Sequence, residues 1–325
     1  MIRIEPRGCV LADKATKTVV ITGAFSYTGK YVTRILLERR YNVRTLTSQP
    51  HRPNEFRGAV QAFPFNFDNL AKLEQSLEGA KTLINTYWVR FPKGASTFDS
   101  AIANTKKLFH AAKSAGIRRI VHVSIANPSE NSELDYYRGK AVLEKVLAQS
   151  GLSNCIMRPT VVFGREDILI NNIAWFLRKL PVFGLPGDGK YRVRPIYVED
   201  MATLLADAVE HQRNEIVDAV GPEIFTFEEL VRTIAANIGR SPMAVHLPAF
   251  LANAATSLVG HWMGDIILTW QEYAGLMRGL LAPDGPATGK TRFTDWLAAH
   301  HHQLGVSYSS EVARHFARTH GPPVG

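Results

Sequence analysis

The sequence predicts a doubly wound parallel α/β sheet with a smaller, mainly helical C-terminal part, and three observations carry that expectation. A β-branched run, Val19, Val20 and Ile21, passes straight into a turn holding Gly23 and Gly29, and an amphipathic helix follows. Short apolar runs then alternate with helical patterns through five strand candidates by Ser124. From Thr226 onward, apolar helical patterns replace the strands. With 325 residues, 46% hydrophobic and 21% charged, the chain has room for one large or two closely packed domains and none of the bias of disorder.

After the first turn, Val32, Ile35 and Leu36 recur at helical spacing while Lys30, Arg34, Glu38 and Arg39 take the other positions. Gly23 permits a tight turn and Gly29 lets the helix approach the strand. The free N–H groups at the helix start suit an anion such as the pyrophosphate of a dinucleotide. Val43–Thr47 reads as the second strand. It ends without the Asp or Glu that binds adenosine ribose hydroxyls, leading instead into Thr47, Ser48, Gln49, Pro50, His51 and Arg52. Hydroxyls and a cation there suit a 2′-phosphate, so NADP(H) is favoured over NAD(H).

Val60–Phe65 is the third strand, followed by Asn66, Phe67 and a helix through Leu70, Leu73 and Leu77; Thr82–Thr86 is the fourth. The aromatic loop Tyr87–Thr97 lies beyond it, where strand order reverses in such sheets, and Trp88 and Phe91 are candidate pocket walls. A helix with Ile102, Leu108, Phe109 and Ala112 ends at Gly116. Ile120–Ser124 is the fifth strand, and Ile156–Phe163 supplies the sixth with its exit.

Ser124 ends the fifth strand, and Tyr136 and Lys140 follow as Tyr-x-x-x-Lys on a helix closed by Gly151. Positions four apart share a face. Hydride transfer to a carbonyl needs a proton at the oxygen, which a Tyr supplies once a nearby cation lowers its pKa from about 10. Lys140 is the candidate cation, Ser124 the group that orients the carbonyl, and Tyr137 an alternative to Tyr136.

Thr22-Gly23, Phe25, Ser26, Tyr27, Thr28 and Gly29 resemble the Thr-Gly-x-x-Gly-x-x-Gly fingerprint of extended and atypical short-chain dehydrogenase/reductases, a Rossmann family, with Ser26 in place of the middle glycine. Tyr136–Ala141, Phe163–Leu169 and Pro195–Asp200 are similar to the NADPH-binding accessory subunit of respiratory complex I and its free-standing prokaryotic relatives, across residues 18 to 240. The resemblance implies a Ser124, Tyr136, Lys140 catalytic set. It implies cofactor contacts from Thr47, Ser48 and Arg52, from Asn66 and Phe67 at the adenine, from Asn85 and Thr86 at the fourth strand tip, from Lys140 at the ribose, and from Pro159, Thr160 and Val161 at the nicotinamide.

Further on, Pro186–Lys190 marks a turn, Glu215–Val220 a short strand, and Thr226 with Glu229 a capping box. Leu247–Gly260 and Ile266–Leu281 read as apolar helices, interrupted by Pro248, His261, Asp265, Glu272 and Arg278, so neither has a membrane span. They are expected to form the shielded lid and wall of a pocket for an apolar small molecule; a peripheral membrane or protein partner is the lesser reading. The expected division is an N-terminal extension over 1–17, a dinucleotide-binding domain over 18–164 plus 196–220, and a substrate or lid domain over 165–195 plus 221–325.

The net charge of +9 is scattered, with no alternation of basic and aromatic residues, so no nucleic-acid partner is expected. Gly285–Thr291 falls short of a Walker loop, and the consecutive His300, His301 and His302 point in different directions, so no metal site is expected either. Residues 1–17 lack the apolar run of a secretory signal, and Cys9 and Cys155 are far apart, Cys155 inside a strand. A reducing, cytoplasmic setting fits. Three functions remain open: an oxidoreductase for a carbonyl or hydroxyl of an apolar substrate, a protein that binds NADPH without turnover, and a nucleotide-sugar epimerase. The oligomeric state has no signature.

Overall fold

The computed structural model describes residues 17–316; the extension up to residue 16, with Cys9, lies outside them. The first half alternates as β1 (Thr18–Thr22), α1 (Tyr27–Glu38), β2 (Asn42–Thr47), β3 (Val60–Pro64), α2 (Leu70–Leu77), β4 (Thr82–Asn85), α3 (Phe98–Ser114), β5 (Arg119–Val123), α4 (Asp135–Ala148) and β6 (Ser153–Pro159). Successive strand side chains alternate faces. Val19 and Ile21 therefore join Val32 and Leu36 of α1 in one core, while Val20 joins Leu73, Leu108 and Leu147 in the core beneath α2, α3 and α4.

β6 stops at Pro159, which has no N–H to extend the ladder, and the exit expected by Phe163 follows as a separate piece. The exit is β7 (Val162–Phe163), followed by α5 (Leu169–Lys179), β8 (Val182–Pro186), β9 (Arg192–Val193), β10 (Ile196–Tyr197), α6 (Val198–Glu210) and β11 (Glu215–Ala219). β11 returns to the main sheet, giving the all-parallel order β11-β6-β5-β4-β1-β2-β3, and β10 pairs with β7 beside it. Strand order reverses between β1 and β4, which is the crevice of a doubly wound sheet.

The rest comprises β12 (Phe225–Thr226), α7 (Phe227–Asn237), β13 (Met243–Leu247), α8 (Ala249–Met263), α9 (Trp270–Met277), α10 (Phe293–His300) and α11 (Glu311–Phe316). The Thr226–Glu229 capping box starts α7 as expected. Two expectations are corrected. Leu247 ends a strand paired with β8, and Pro248 separates it from α8. The run Ile266–Leu281 is helical only over Trp270–Met277, because Gly264 at φ +65° closes α8 and Thr269 with Glu272 caps a new start. A separate core of Phe163, Ile173, Leu230, Ile234, Phe293 and Trp296 holds this part together. Cys155 is buried and free.

Candidate active site

A cavity of about 1020 Å³ opens at the carboxyl ends of β1 and β4 and continues into the C-terminal part. Thr22, Gly23, Phe25, Ser26, Tyr27 and Thr28 line its near end. Gly23 holds φ +72°, and a Cβ on Gly29 would lie 2.0 Å from the Gly23 carbonyl oxygen, so both glycines are required by backbone geometry. Gly29 itself sits behind the wall. Ser26 is exposed; its Oγ would lie 3.2 Å from a Gly23 Cβ and 3.0 Å from a Gly29 Cβ, so its hydroxyl occupies the turn rather than blocking the mouth. Tyr27 packs towards Gly164, its hydroxyl buried without a partner.

Thr47, Ser48 and Arg52 line the cavity beside this turn, and Arg52 makes no ion pair among the described residues. Asn66 takes φ +48° in the turn after β3 and does not line the cavity. Phe67 also stands back, stacked on Phe65 at 4.9 Å and tilted against Tyr87 at 5.1 Å; those two rings form the wall. Thr86 lines the cavity, whereas Asn85 braces it from beneath. Asn85 accepts from Thr22 Oγ1 at 3.1 Å and from the Tyr87 N–H at 3.1 Å, so its amide nitrogen donates to His122 Nδ1 at 3.0 Å. Burial holds the His122 pKa well below its usual value, which makes it a neutral ring protonated at an unpartnered Nε2. Nothing in the sequence marks His122, because its role depends on an amide that a different strand delivers.

Tyr136 faces the cavity, and so does Tyr137, whereas Ser124 and Lys140 stand behind the wall. Ser124 Oγ is buried with no hydrogen-bond partner. Lys140 Nζ donates to the Val123 carbonyl at 2.8 Å and lies 4.5 Å from the centre of the Trp88 ring. Trp88 is wedged against Gly139, where a Cβ would come within 3.0 Å of it, and meets the edge of Tyr136 at 5.6 Å. The ammonium that the spacing pairs with Tyr136 therefore faces an indole instead. Burial lowers the Lys140 pKa to about 7. Burial first, and then the negative charge of Glu272, pushes the Tyr136 phenol up, so it is a protonated donor at neutral pH. Phe91 is buried outside the cavity lining.

Thr160 and Val161 line the cavity and Pro159 lies behind them; the Thr160 hydroxyl donates to the Arg194 carbonyl. Charged groups that the sequence did not single out complete the mouth. Asp167 accepts the Ile170 N–H at 2.6 Å, and burial raises its pKa to about 6. Arg90 donates to Glu272 at 2.6 Å and pairs with Glu311. Asp265 receives the Tyr308 hydroxyl at 2.6 Å and the Val312 N–H at 2.9 Å, which brings Glu311 and Arg314 of α11 to the cavity rim. These pairs join distant parts of the chain, so no local pattern announces them.

The far end is apolar, walled by Ile173, Phe176, Val182, Ala255, Val259 and Leu276. The expected shielding of α8 is only half met, since Phe250, Leu258 and Trp262 are exposed. Among the described residues no helix is long and apolar enough to cross a membrane. In the loop Gly285–Thr291, the N–H groups of Lys290 and Thr291 are taken by Asp200 at 2.8 and 2.7 Å, leaving no phosphate cradle.

A glycine turn on a parallel sheet, a crevice at the strand-order reversal and a Tyr at its wall define an NAD(P)-binding fold of the reductase and epimerase type, and solved reductases and epimerases share it. The chain belongs to the NmrA-like family, whose model matches residues 15–261. It is 26% identical over 245 residues to NADH dehydrogenase [ubiquinone] 1 alpha subcomplex subunit 9 of Arabidopsis thaliana, covering 72% of this chain and 61% of that one. A ceramide reductase of Caulobacter vibrioides is 25% identical over 256 residues, covering 78% and 80%. The NADPH-dependent quinone oxidoreductase QOR2 of Escherichia coli, solved with NADPH, superposes with a TM-score of 0.71 at 19% identity, covering 87% and 99%. The chain spans about six-tenths of the length of the plant relative.

Proposed function

We propose that this protein is an NAD(P)(H)-dependent oxidoreductase, with NADP(H) favoured, acting on a carbonyl or hydroxyl of an apolar substrate. One observation carries the reading: a single cavity runs from the glycine turn past Tyr136 into an apolar chamber. Such a cavity holds a nucleotide at one end and an apolar molecule at the other, with a proton donor between them. The cofactor supplies the hydride. Gly23 and Gly29 shape the phosphate site, Ser48 and Arg52 offer a hydroxyl and a cation to a 2′-phosphate, and Tyr136 delivers the proton to the substrate oxygen. Ser124, whose buried hydroxyl has no partner, is free to hydrogen-bond that oxygen. Lys140 serves the ribose and the Tyr once Trp88 swings aside.

The Trp88 ring over Lys140 favours a second reading, in which the nucleotide is held without turnover. The epimerase reading ranks third, because the far chamber is walled mostly by apolar side chains and the Thr256 and Tyr273 hydroxyls within it bond each other at 2.6 Å. Mass spectrometry of the co-purifying nucleotide, followed by exchange against free cofactor and a panel of aldehydes, ketones and quinones, separates the first two. Exchange with NADPH oxidation supports the enzyme, and Tyr136→Phe then lowers turnover by about two orders of magnitude while cofactor affinity stays. An inert wild type with tightly held NADPH moves the assignment to the second reading.

A further inference from the structure

α8 is a wall with two apolar faces. Over Ala249–Met263 it carries no Asp, Glu, Lys or Arg. Its inner face gives Ala252, Ala255, Thr256 and Val259 to the chamber. Phe250, Leu258 and Trp262, spread over about a third of the helix circumference, are 68%, 70% and 86% exposed. Leu180 after α5 and Val182 and Met243 on the paired strands are exposed as well, with Val182 opposite Met243 in register. Leu180 and Val182 also line the chamber, so the same apolar side chains face its interior and the outside.

Two cations near this patch stand without a paired acid, whereas Arg232 is held by Glu228, which also meets His246 of β13. The runs 168–187 and 230–264 contain Arg178, Lys179, Arg232 and Arg240 and not one Asp or Glu. Lys179 and Arg240, at the Val182–Met243 end, are exposed, and neither forms an ion pair among the described residues. An anionic bilayer complements them, and a Trp at the end of an uncharged stripe is the side chain that settles at a headgroup interface.

We propose that the α8 stripe docks on an anionic lipid bilayer, and that the chamber behind it takes the aliphatic chain of a bilayer-resident amphiphile whose carbonyl or hydroxyl then lies at Tyr136. The docking half stands on the surface alone, and the second half rests on the oxidoreductase reading. Once α8 lies on the bilayer, the apolar path across Val182 lets a chain slide inward without crossing water.

The full chain is sedimented with phosphatidylcholine vesicles with and without phosphatidylserine, and Trp emission is followed on binding. Binding that needs phosphatidylserine, weakens with salt and shifts the emission to the blue is expected. The triple variant Phe250→Ser, Leu258→Ser, Trp262→Ser lowers vesicle affinity by about tenfold or more while leaving Tm and NADPH affinity unchanged, since all three side chains are exposed. Lys179→Glu with Arg240→Glu removes the phosphatidylserine dependence. No vesicle binding by the wild type, equal binding by the triple variant, or a concentration-dependent dimer that the triple variant abolishes overturns the docking. An anthroyloxy-labelled fatty amide reports on the chamber independently of turnover: its fluorescence rises with the wild type and falls with Val259→Trp. No rise overturns the chamber assignment. Vesicle and probe binding without oxidation of NADPH by any carbonyl leaves this inference standing and removes the oxidoreductase reading.

Discussion

A Cβ at Gly29 would lie 2.0 Å from the Gly23 oxygen and 2.8 Å from its carbonyl carbon, and backbone cannot retreat as a flexible side chain does. Gly29→Ala is therefore expected to cost about 1–3 kcal/mol of stability and to abolish nucleotide binding, followed by thermal melts and fluorescence titration. Unchanged affinity would place the nucleotide elsewhere. Lys140 makes a second case. Unfolded, it holds its proton to about pH 10.4; folded, burial brings that down to about 7. Between those values the unfolded chain binds more protons, so this group's penalty is fully present below pH 7 and is relieved as pH rises towards 10. The Tm of the wild type minus that of Lys140→Met should climb through that window. A flat difference would mean that Lys140 is not desolvated beneath Trp88.

At the scale of elements, α11 lies at the cavity mouth because Asp265 binds Tyr308 and the start of the helix while Arg90 reaches Glu311. Asp265→Ala removes a charged acceptor from three donors, a loss on the order of 3 kcal/mol shared by those bonds. Faster NADPH release in stopped flow and cleavage near residues 300–316 in limited proteolysis are expected; an unaltered release rate would show that α11 does not gate the mouth. The same contrast explains what was legible beforehand. β1, α1 and the Thr226 cap are written in neighbouring residues, through β-branched runs, helical spacing and a capping box, and they appear where expected. β8 and β13 were missed, since five-residue strands between prolines look like loop until each finds the other. The wedge of Trp88 over Lys140 was missed for a related reason: Gly139 admits the indole, but only the fold decides which aromatic arrives.

For the whole molecule, one cavity bounded by both halves means that a nucleotide stabilises the fold it sits in. At a hundred times its Kd, a ligand adds about 2.7 kcal/mol. On the proposed placement of Ser48 and Arg52 against a 2′-phosphate, NADPH should raise Tm more than NADH at equal concentration, with a single transition in each case. An equal shift would remove the preference, and two separated transitions would show that the halves melt independently. The halves are tied at one point in particular. Arg194, almost wholly buried, donates to the carbonyls of Gly221 at 2.8 Å, Pro283 at 3.2 Å and Gly285 at 2.9 Å, and a Cβ on Gly221 would lie 2.1 Å from the Pro195 oxygen. Three passes of the backbone thus meet at one guanidinium, and the last arrives more than sixty residues after the second. On the ribosome, a nascent chain that has reached Gly221 but not Pro283 offers this cation one of its three carbonyls, and water must stand in for the other two. This joint is therefore expected to close only after Gly285 has emerged, some ninety residues behind the arginine whose N–H it accepts.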